Sequence, residues 1–368
     1  MAGSALFTPF HNKTLSLQNR VVMAPMTRSK SPGGIPTAEV AAYYRQRAEG
    51  GVGLIITEGT TIDRPGASND PDIPNFHAAA SLEGWRRVVD EVHAAGGKIA
   101  PQLWHMGMVR KSGTGPHPDA QSDGPSGLSG SGKQVAEPMT QAEIADTIDR
   151  FGDAAAHAKA TGFDAIELHG AHGYLLDQFF WGQSNRRTDE YGGDLVRRSR
   201  FTSEIIQAVR RRVGTDFPII LRFSQWKQQD YSARLAATPE ELAAFLEPLA
   251  IAGADIFHCS TRRFWEPEFE GSTLNLAGWT KKLTGKPTIT VGSVGLKGGD
   301  FIDAFKGESA EVGGLGELGQ LDRRLRDGEF DLVAVGRALI TDPQWPSKVR
   351  DGRYAELAPF TPASLATL

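Results

Sequence analysis

Eight short apolar runs recur along the chain, with segments of helical spacing between them. An alternation of this kind builds a parallel sheet flanked by helices. The runs are 20–26, 53–60, 98–105, 165–168, 218–224, 255–260, 287–291 and 330–335. Clear helical stripes open at Thr37, Ser81, Thr140, Asp194, Thr238 and Asp342, with a weaker one over Leu274–Leu283. Thr140 is followed three residues later by Glu143, a capping-box pattern, and Thr238-Pro239 with Glu241 repeats the start signal. Eight repeats favour a closed (β/α)8 TIM barrel over an open doubly wound sheet, and no GxGxxG follows the first run. The expectation is α/β, one barrel domain over 1–368, with an N-terminal hairpin at Ala5–Gln18, a long irregular excursion over the active face at Met106–Pro138 and an inserted, partly helical segment at Gly307–Gly328.

Composition narrows the function classes. A net charge of -4 without a dense basic stripe argues against nucleic acid. One cysteine, Cys259, excludes an internal disulfide and a multi-cysteine metal or iron–sulfur site within one chain; it reads as a small core residue. The N-terminal MAGSALFTPF lacks the pattern of a secretory signal, and no apolar run approaches the roughly 20 residues that span a bilayer. A cytoplasmic protein without a membrane partner, monomeric or homodimeric, is the default expectation.

In a parallel barrel the C-terminal strand ends meet at one site. The fourth run, IELHGAHGYLL, ends in His169, His172 and Tyr174, two imidazoles and a phenol within six residues. The other ends supply Thr27, Gly59, Gln102, Arg222, His258, Gly292-Ser293 and Gly336-Arg337. Glycine turns after strands seven and eight suit a phosphate, because backbone N–H groups can approach it closely there. Gln102 carries both a donor and an acceptor, as a heterocycle with adjacent C=O and N–H groups requires. Arg222 favours a partner that becomes anionic. Phosphate, polar heterocycle and gain of negative charge together describe reduced FMN.

The bland readings stand beside these. His169 and His172 have a spacing that could hold a metal, but no third ligand is placed, so none is expected. Gln102 and Arg222 could plug the barrel mouth, the glycine turns could be ordinary turns, and Tyr174 could be a buried hydrogen-bonded tyrosine. Lys227, just past the fifth run, reads as solvent-exposed.

The sequence resembles the Old Yellow Enzyme family of FMN-dependent ene-reductases. RVVMAPMTRS, PQLWHMG, IELHGAHGYLLDQFF with SNRRTDEYGG, ILRFS and LVAVGRALITDP carry the resemblance over nearly the whole chain. It implies that Pro25, Met26 and Thr27 line the flavin, and that Gln102 pairs with its pyrimidine edge. Gly59 joins this cofactor-binding set. Arg222 would lie near N1 and O2, and Gly292, Ser293, Gly336 and Arg337 would hold the phosphate. His169 and His172 would bind a substrate carbonyl oxygen, and Tyr174 would donate a proton. NADPH or NADH would be the reductant and an activated alkene the substrate. The alternatives are an amine demethylase or dehydrogenase on the same barrel, or a flavin-free phosphate-binding barrel. Some members of the family carry cysteine at the position of Thr27 and asparagine at that of His172.

Overall fold

The computed structural model describes residues 3–298 and 307–368. Its centre is a closed barrel of eight parallel strands in sequence order. These are β1 (Val21–Met23), β2 (Leu54–Thr61), β3 (Ile99–Trp104), β4 (Ile166–His172), β5 (Ile219–Lys227), β6 (Ile256–Ser260), β7 (Thr288–Val291) and β8 (Leu332–Val335). The helices α1 (Ala38–Glu49), α2 (Ala79–Ala94), α3 (Gln141–Thr161), α4 (Arg200–Val213), α5 (Pro239–Ala252), α6 (Leu276–Thr284), α7 (Leu315–Arg326) and α8 (Trp345–Arg350) alternate with them. The eightfold alternation in the sequence therefore becomes the TIM barrel it implied.

Strand side chains alternate between two faces, and the two cores of the protein follow that period. Val21, Met23, Ile55, Ile99, Leu103, Ile166, Leu168, Ile219, Leu221, Phe257, Cys259, Val333 and Val335 pack outward into one cluster with the helices. Val22, Ala24, Leu54, Ile56, Ala100, Ala165, Ile220, Ile256, Ile289, Leu332 and Ala334 fill the barrel. Phe10, Leu15 and Leu17 join this inner cluster. They come from the N-terminal hairpin, in which Phe10–His11 pairs antiparallel with Ser16–Leu17, so the hairpin stops the barrel from one end.

The local start signals hold. Thr140 accepts from the Glu143 N–H while the Glu143 carboxylate accepts from the Thr140 N–H, capping α3. Thr238 caps α5 in the same way, although the Glu241 carboxylate takes the N–H of Ala237 instead of the cap residue's own.

Three expectations are corrected. Gly307–Gly328 is partly helical as expected, but its helix α7 is the one that connects β7 to β8, burying Leu318, Leu321 and Leu325, and so is part of the barrel rather than an insertion. The basic segment from Asp194 is two helices, Leu195–Arg198 and α4, meeting at Ser199. The fifth strand runs three residues past Ser224, to Lys227, and the fourth reaches His172. Met106–Pro138 is irregular as expected, with one turn of 3-10 helix at Gly107–Val109. Among the described residues no helix is long and apolar enough to cross a membrane.

The α3 cap gives a simple test. Thr140→Ala removes one side-chain acceptor from an exposed helix end and should lower stability to urea by about 1 kcal/mol. An unchanged unfolding midpoint would contradict the capping geometry.

Candidate active site

One step beyond the apolar filling, the barrel lining becomes polar on four adjacent strands. Moving two residues on from Ala100, Ala165, Ile220 and Ile256 reaches Gln102, Glu167, Arg222 and His258, all buried. The same step on β7, β8 and β1 reaches Val291, Gly336 and Met26, small or apolar. Glu167, fully buried, ties the polar side together. Its Oε1 accepts from Gln102 Nε2 at 2.8 Å, and its Oε2 lies 2.6 Å from His258 Nδ1. Burial lowers the basicity of both His258 and Arg222, and the Glu167 charge opposes the shift in each. Fixing Nε2 of Gln102 on Glu167 leaves its amide oxygen available to a ring N–H. Arg222 Nε and His258 Nε2 are buried without a protein partner.

The donors stand above this layer. Strand alternation would send His169 and His172, three residues apart, to opposite faces. The β4–β5 pairing shifts register between Gly170 and His172, and His172 takes a left-handed φ of 66°. A bulge of this sort re-aims a side chain. It brings the two imidazoles edge to face at 5.1 Å, with the Tyr174 ring 4.9 Å from His169 and 5.1 Å from Trp104. The described non-glycine residues with positive φ are Ser29, His172 and Ser293, each at or just beyond a strand end on this face. Strain concentrated in this way is a mark of functional sites.

The protonation pattern follows from the neighbours. Burial first, then the Arg222 charge, holds His169 and His172 well below the ordinary imidazole value, so both are neutral at neutral pH. The Ala171 N–H donates to Nδ1 of His169 at 3.3 Å, which leaves the ring proton on Nε2. Arg222 Nη2 donates to the Ser260 hydroxyl oxygen at 3.3 Å, and that oxygen lies 2.7 Å from Nε2 of His172. The Ser260 hydroxyl can meet Nε2 as donor or as acceptor, and the direction of this bond sets which nitrogen of His172 carries the proton. His169 thus keeps an N–H, on Nε2, that the protein does not use in these bonds. Burial raises the Tyr174 phenol, and the Gln228 amide pulls it partly back.

The overrun of β5 supports this cluster, and sequence reasoning missed it. Ser224 Oγ accepts from the His172 N–H at 3.0 Å, and Trp226 stacks on the His172 ring at 4.7 Å. Lys227 is a correction: it is 0% exposed and paired with the equally buried Asp177 at 2.8 Å. Its ammonium also donates to the carbonyls of Ser224 and Gln225, while Asp177 accepts the Gly173 N–H at 2.7 Å. Burial pushes Asp177 up and Lys227 down, and each charge opposes its partner's shift. The pair clamps the turn carrying Tyr174 onto the end of β5. A cue existed in the sequence: Lys227 and Asp177 lie just beyond two neighbouring strands.

The rest of the rim comes from β1, β2, β7 and β8. Pro25 and Met26 are half-buried and Thr27 is exposed. The loop that carries them is anchored by Glu58, whose Oε2 accepts the N–H groups of Arg28 and Ser29 at 2.9 and 3.1 Å. Burial raises the Glu58 carboxyl to about 7. Glu58 was also missed, since a carboxylate inside a strand looked like an ordinary polar position. Gly59 lies under Trp104, where a Cβ would come within 2.9 Å of the indole. Gly292, at φ 128°, leads into Ser293, whose hydroxyl accepts from Arg263 at 2.9 Å. A Cβ on Gly336 would lie 3.7 Å from the Met26 sulfur, so the ends of β8 and β1 adjoin. The Arg337 guanidinium lies 5.5 Å from the Phe360 ring centre. Among the described residues no three His, Cys, Asp or Glu side chains group as metal ligands.

These residues fit a flavin mononucleotide. A donor–acceptor amide and a cation with a spare buried N–H suit a pyrimidine edge, and glycine turns at two adjacent strand ends suit a phosphate.

Comparison with known proteins agrees. The sequence profile described as the NADH:flavin oxidoreductase / NADH oxidase family matches residues 5–308. The chain is 36% identical over 363 residues to an NADH oxidase of Thermoanaerobacter brockii, covering 96% of this chain and 52% of that one. It thus spans about half the length of that relative. It is 34% identical over 354 residues to putative 12-oxophytodienoate reductase 2 of Oryza sativa subsp. japonica, covering 93% and 86%. Among solved structures, morphinone reductase in complex with tetrahydroNAD superposes with a TM-score of 0.81 at 30% identity, over 98% of this chain and 94% of that one. Old Yellow Enzyme from Pichia sp. gives 0.82 at 26% identity, over 99% and 90%.

The clamp under Tyr174 is testable. Lys227→Met leaves the Asp177 charge buried and unpaired, and should cost about 3 kcal/mol or more. Adding Asp177→Asn, which keeps an acceptor for the Gly173 N–H, should recover much of it. Denaturant unfolding of the two variants checks this; a Lys227→Met protein as stable as the parent would refute the pairing.

Proposed function

The chain belongs to the NADH:flavin oxidoreductase / NADH oxidase family, and from that premise we propose that it is an FMN-dependent ene-reductase acting on α,β-unsaturated carbonyl compounds and similarly activated alkenes. Family membership removes the flavin-free alternative. The relatives' names, an NADH oxidase and an oxophytodienoate reductase, do not favour amine demethylation.

The observation that carries the reading is the set of three rings in which His169 lies 5.1 Å from His172 and 4.9 Å from Tyr174, the imidazoles neutral. Bound FMN, once reduced by NADH or NADPH, supplies the hydride for the β-carbon of the alkene. Gln102 and Arg222 hold the pyrimidine edge, with Pro25, Met26, Thr27 and Gly59 along the ring. Gly292, Ser293, Gly336 and Arg337 hold the phosphate. Nε2–H of His169 and the His172 imidazole donate to the substrate carbonyl oxygen. Negative charge grows on that oxygen as the β-carbon accepts hydride, so two fixed neutral donors stabilise the transition state more than the ground state. Neutral imidazoles suit the task because they give up hydrogen bonds without transferring the proton. Tyr174, protonated at neutral pH, delivers its proton to the α-carbon.

Tyr174→Phe should slow reoxidation of the reduced enzyme by an enone about a hundredfold while reduction by the nicotinamide keeps its rate. Rapid-mixing absorbance of the two half-reactions measures both, and an unchanged enone rate would overturn the assignment. His169→Ala removes one donor and should weaken binding of a simple phenol about tenfold. Unaltered phenol affinity would count against its role.

A further inference from the structure

Tyr174 has a partner that the chemistry above does not use. Gln228, half-buried just past the end of β5, donates from its amide Nε2 to the phenol oxygen at 3.2 Å. Its own backbone N–H reaches the His172 carbonyl at 3.4 Å, so the residue is held by the segment that carries the donors. The other groups packed on the phenol ring are Trp104 and His169, neither of them charged. A phenol oxygen that accepts a hydrogen bond here keeps its O–H free to point elsewhere. The amide therefore determines where the proton is presented.

We propose that Gln228 is a positioning residue for proton delivery, directing the Tyr174 hydroxyl at the α-carbon of the substrate and stabilising the phenolate left behind. The inference rests on the ene-reductase reading. In the step concerned, the substrate has already received hydride and carries an electron pair delocalised over the α-carbon and the carbonyl oxygen. That pair forms the new C–H bond as the phenol O–H bond breaks. The negative charge moves to the Tyr174 oxygen, and a solvent proton later restores the phenol. No electron is gained or lost. A hydrogen bond donated to the oxygen strengthens as charge arrives there, which favours transfer.

The test uses the whole flavin-loaded protein. Gln228→Leu should reduce kcat for an enone about tenfold. KM for the enone, the rate of reduction by nicotinamide and the affinity for phenol should stay within about twofold. The solvent deuterium isotope effect on enone reduction should rise, because proton transfer becomes more limiting. In a Tyr174→Phe background the same change should have no further effect. Gln228→Glu offers only an acceptor at neutral pH, captures the phenol hydrogen and should be slower still. A Gln228→Leu enzyme as fast as wild type, an equal loss in the Tyr174→Phe background, or a Gln228→Glu enzyme faster than Gln228→Leu would each overturn the proposal alone. Tyr174→Phe without effect on enone reduction would overturn the functional reading, and this inference with it.

Discussion

The buried carboxylate of Glu167 is the interaction on which the site depends. It lies inside the barrel with no access to solvent, a position that is strongly unfavourable unless its oxygens are satisfied. Gln102 and His258 satisfy them directly, and the nearby Arg222 guanidinium balances the charge. The consequence is geometric. Gln102 and His258, from two different strands, are locked in orientation, with an amide oxygen and a bare imidazole nitrogen left over as acceptors beside the Nε–H of Arg222 as a donor. Those leftovers form a polar platform, while β7, β8 and β1 offer Val291, Gly336 and Met26 at the same level. A planar heterocycle with a polar edge and an apolar edge matches that division.

The donors depend on the platform through Arg222. Its Nη2 and the His172 ring share the Ser260 hydroxyl, so the platform and the imidazole pair are joined through one oxygen. The overrun of β5 performs the mechanical part. Ser224, Trp226, Lys227 and Gln228 reach, in turn, the backbone of His172, its ring, the Asp177 carboxylate and the Tyr174 phenol. A single strand extension thus holds two of the three donors and the turn that connects them.

Much of this was legible before any coordinates. The eight apolar runs showed the barrel, since a two-residue period and its glycine boundaries are written locally. Polar residues crowded at the strand ends showed where the chemistry lies, and segments such as IELHGAHGYLL and SNRRTDEYGG carried the family resemblance. What stayed hidden depends on contacts between distant residues. Lys227 looked exposed because lysine usually is, and its partner Asp177 is 50 positions away. The bulge after Gly170 leaves no local mark, yet without it His172 would face away from His169. Glu58 reads as one polar residue in LIITEGT, and only the closed barrel shows it holding the Thr27 loop. α7 is hard to place as a barrel helix from its sequence, because Gly316 and Gly319 lie inside its first two turns and weaken its helical pattern.

The central claim is that His169 and His172 would hold an alkene over the Glu167 platform, where bound FMN would supply the hydride. Anaerobic titration of the purified protein tests it most directly. Blue-light absorption of bound flavin should disappear on adding nicotinamide and return on adding a stoichiometric amount of enone, with no oxygen present. A protein that takes up no flavin, or one whose bleached flavin ignores the enone and recovers only in air, would contradict it.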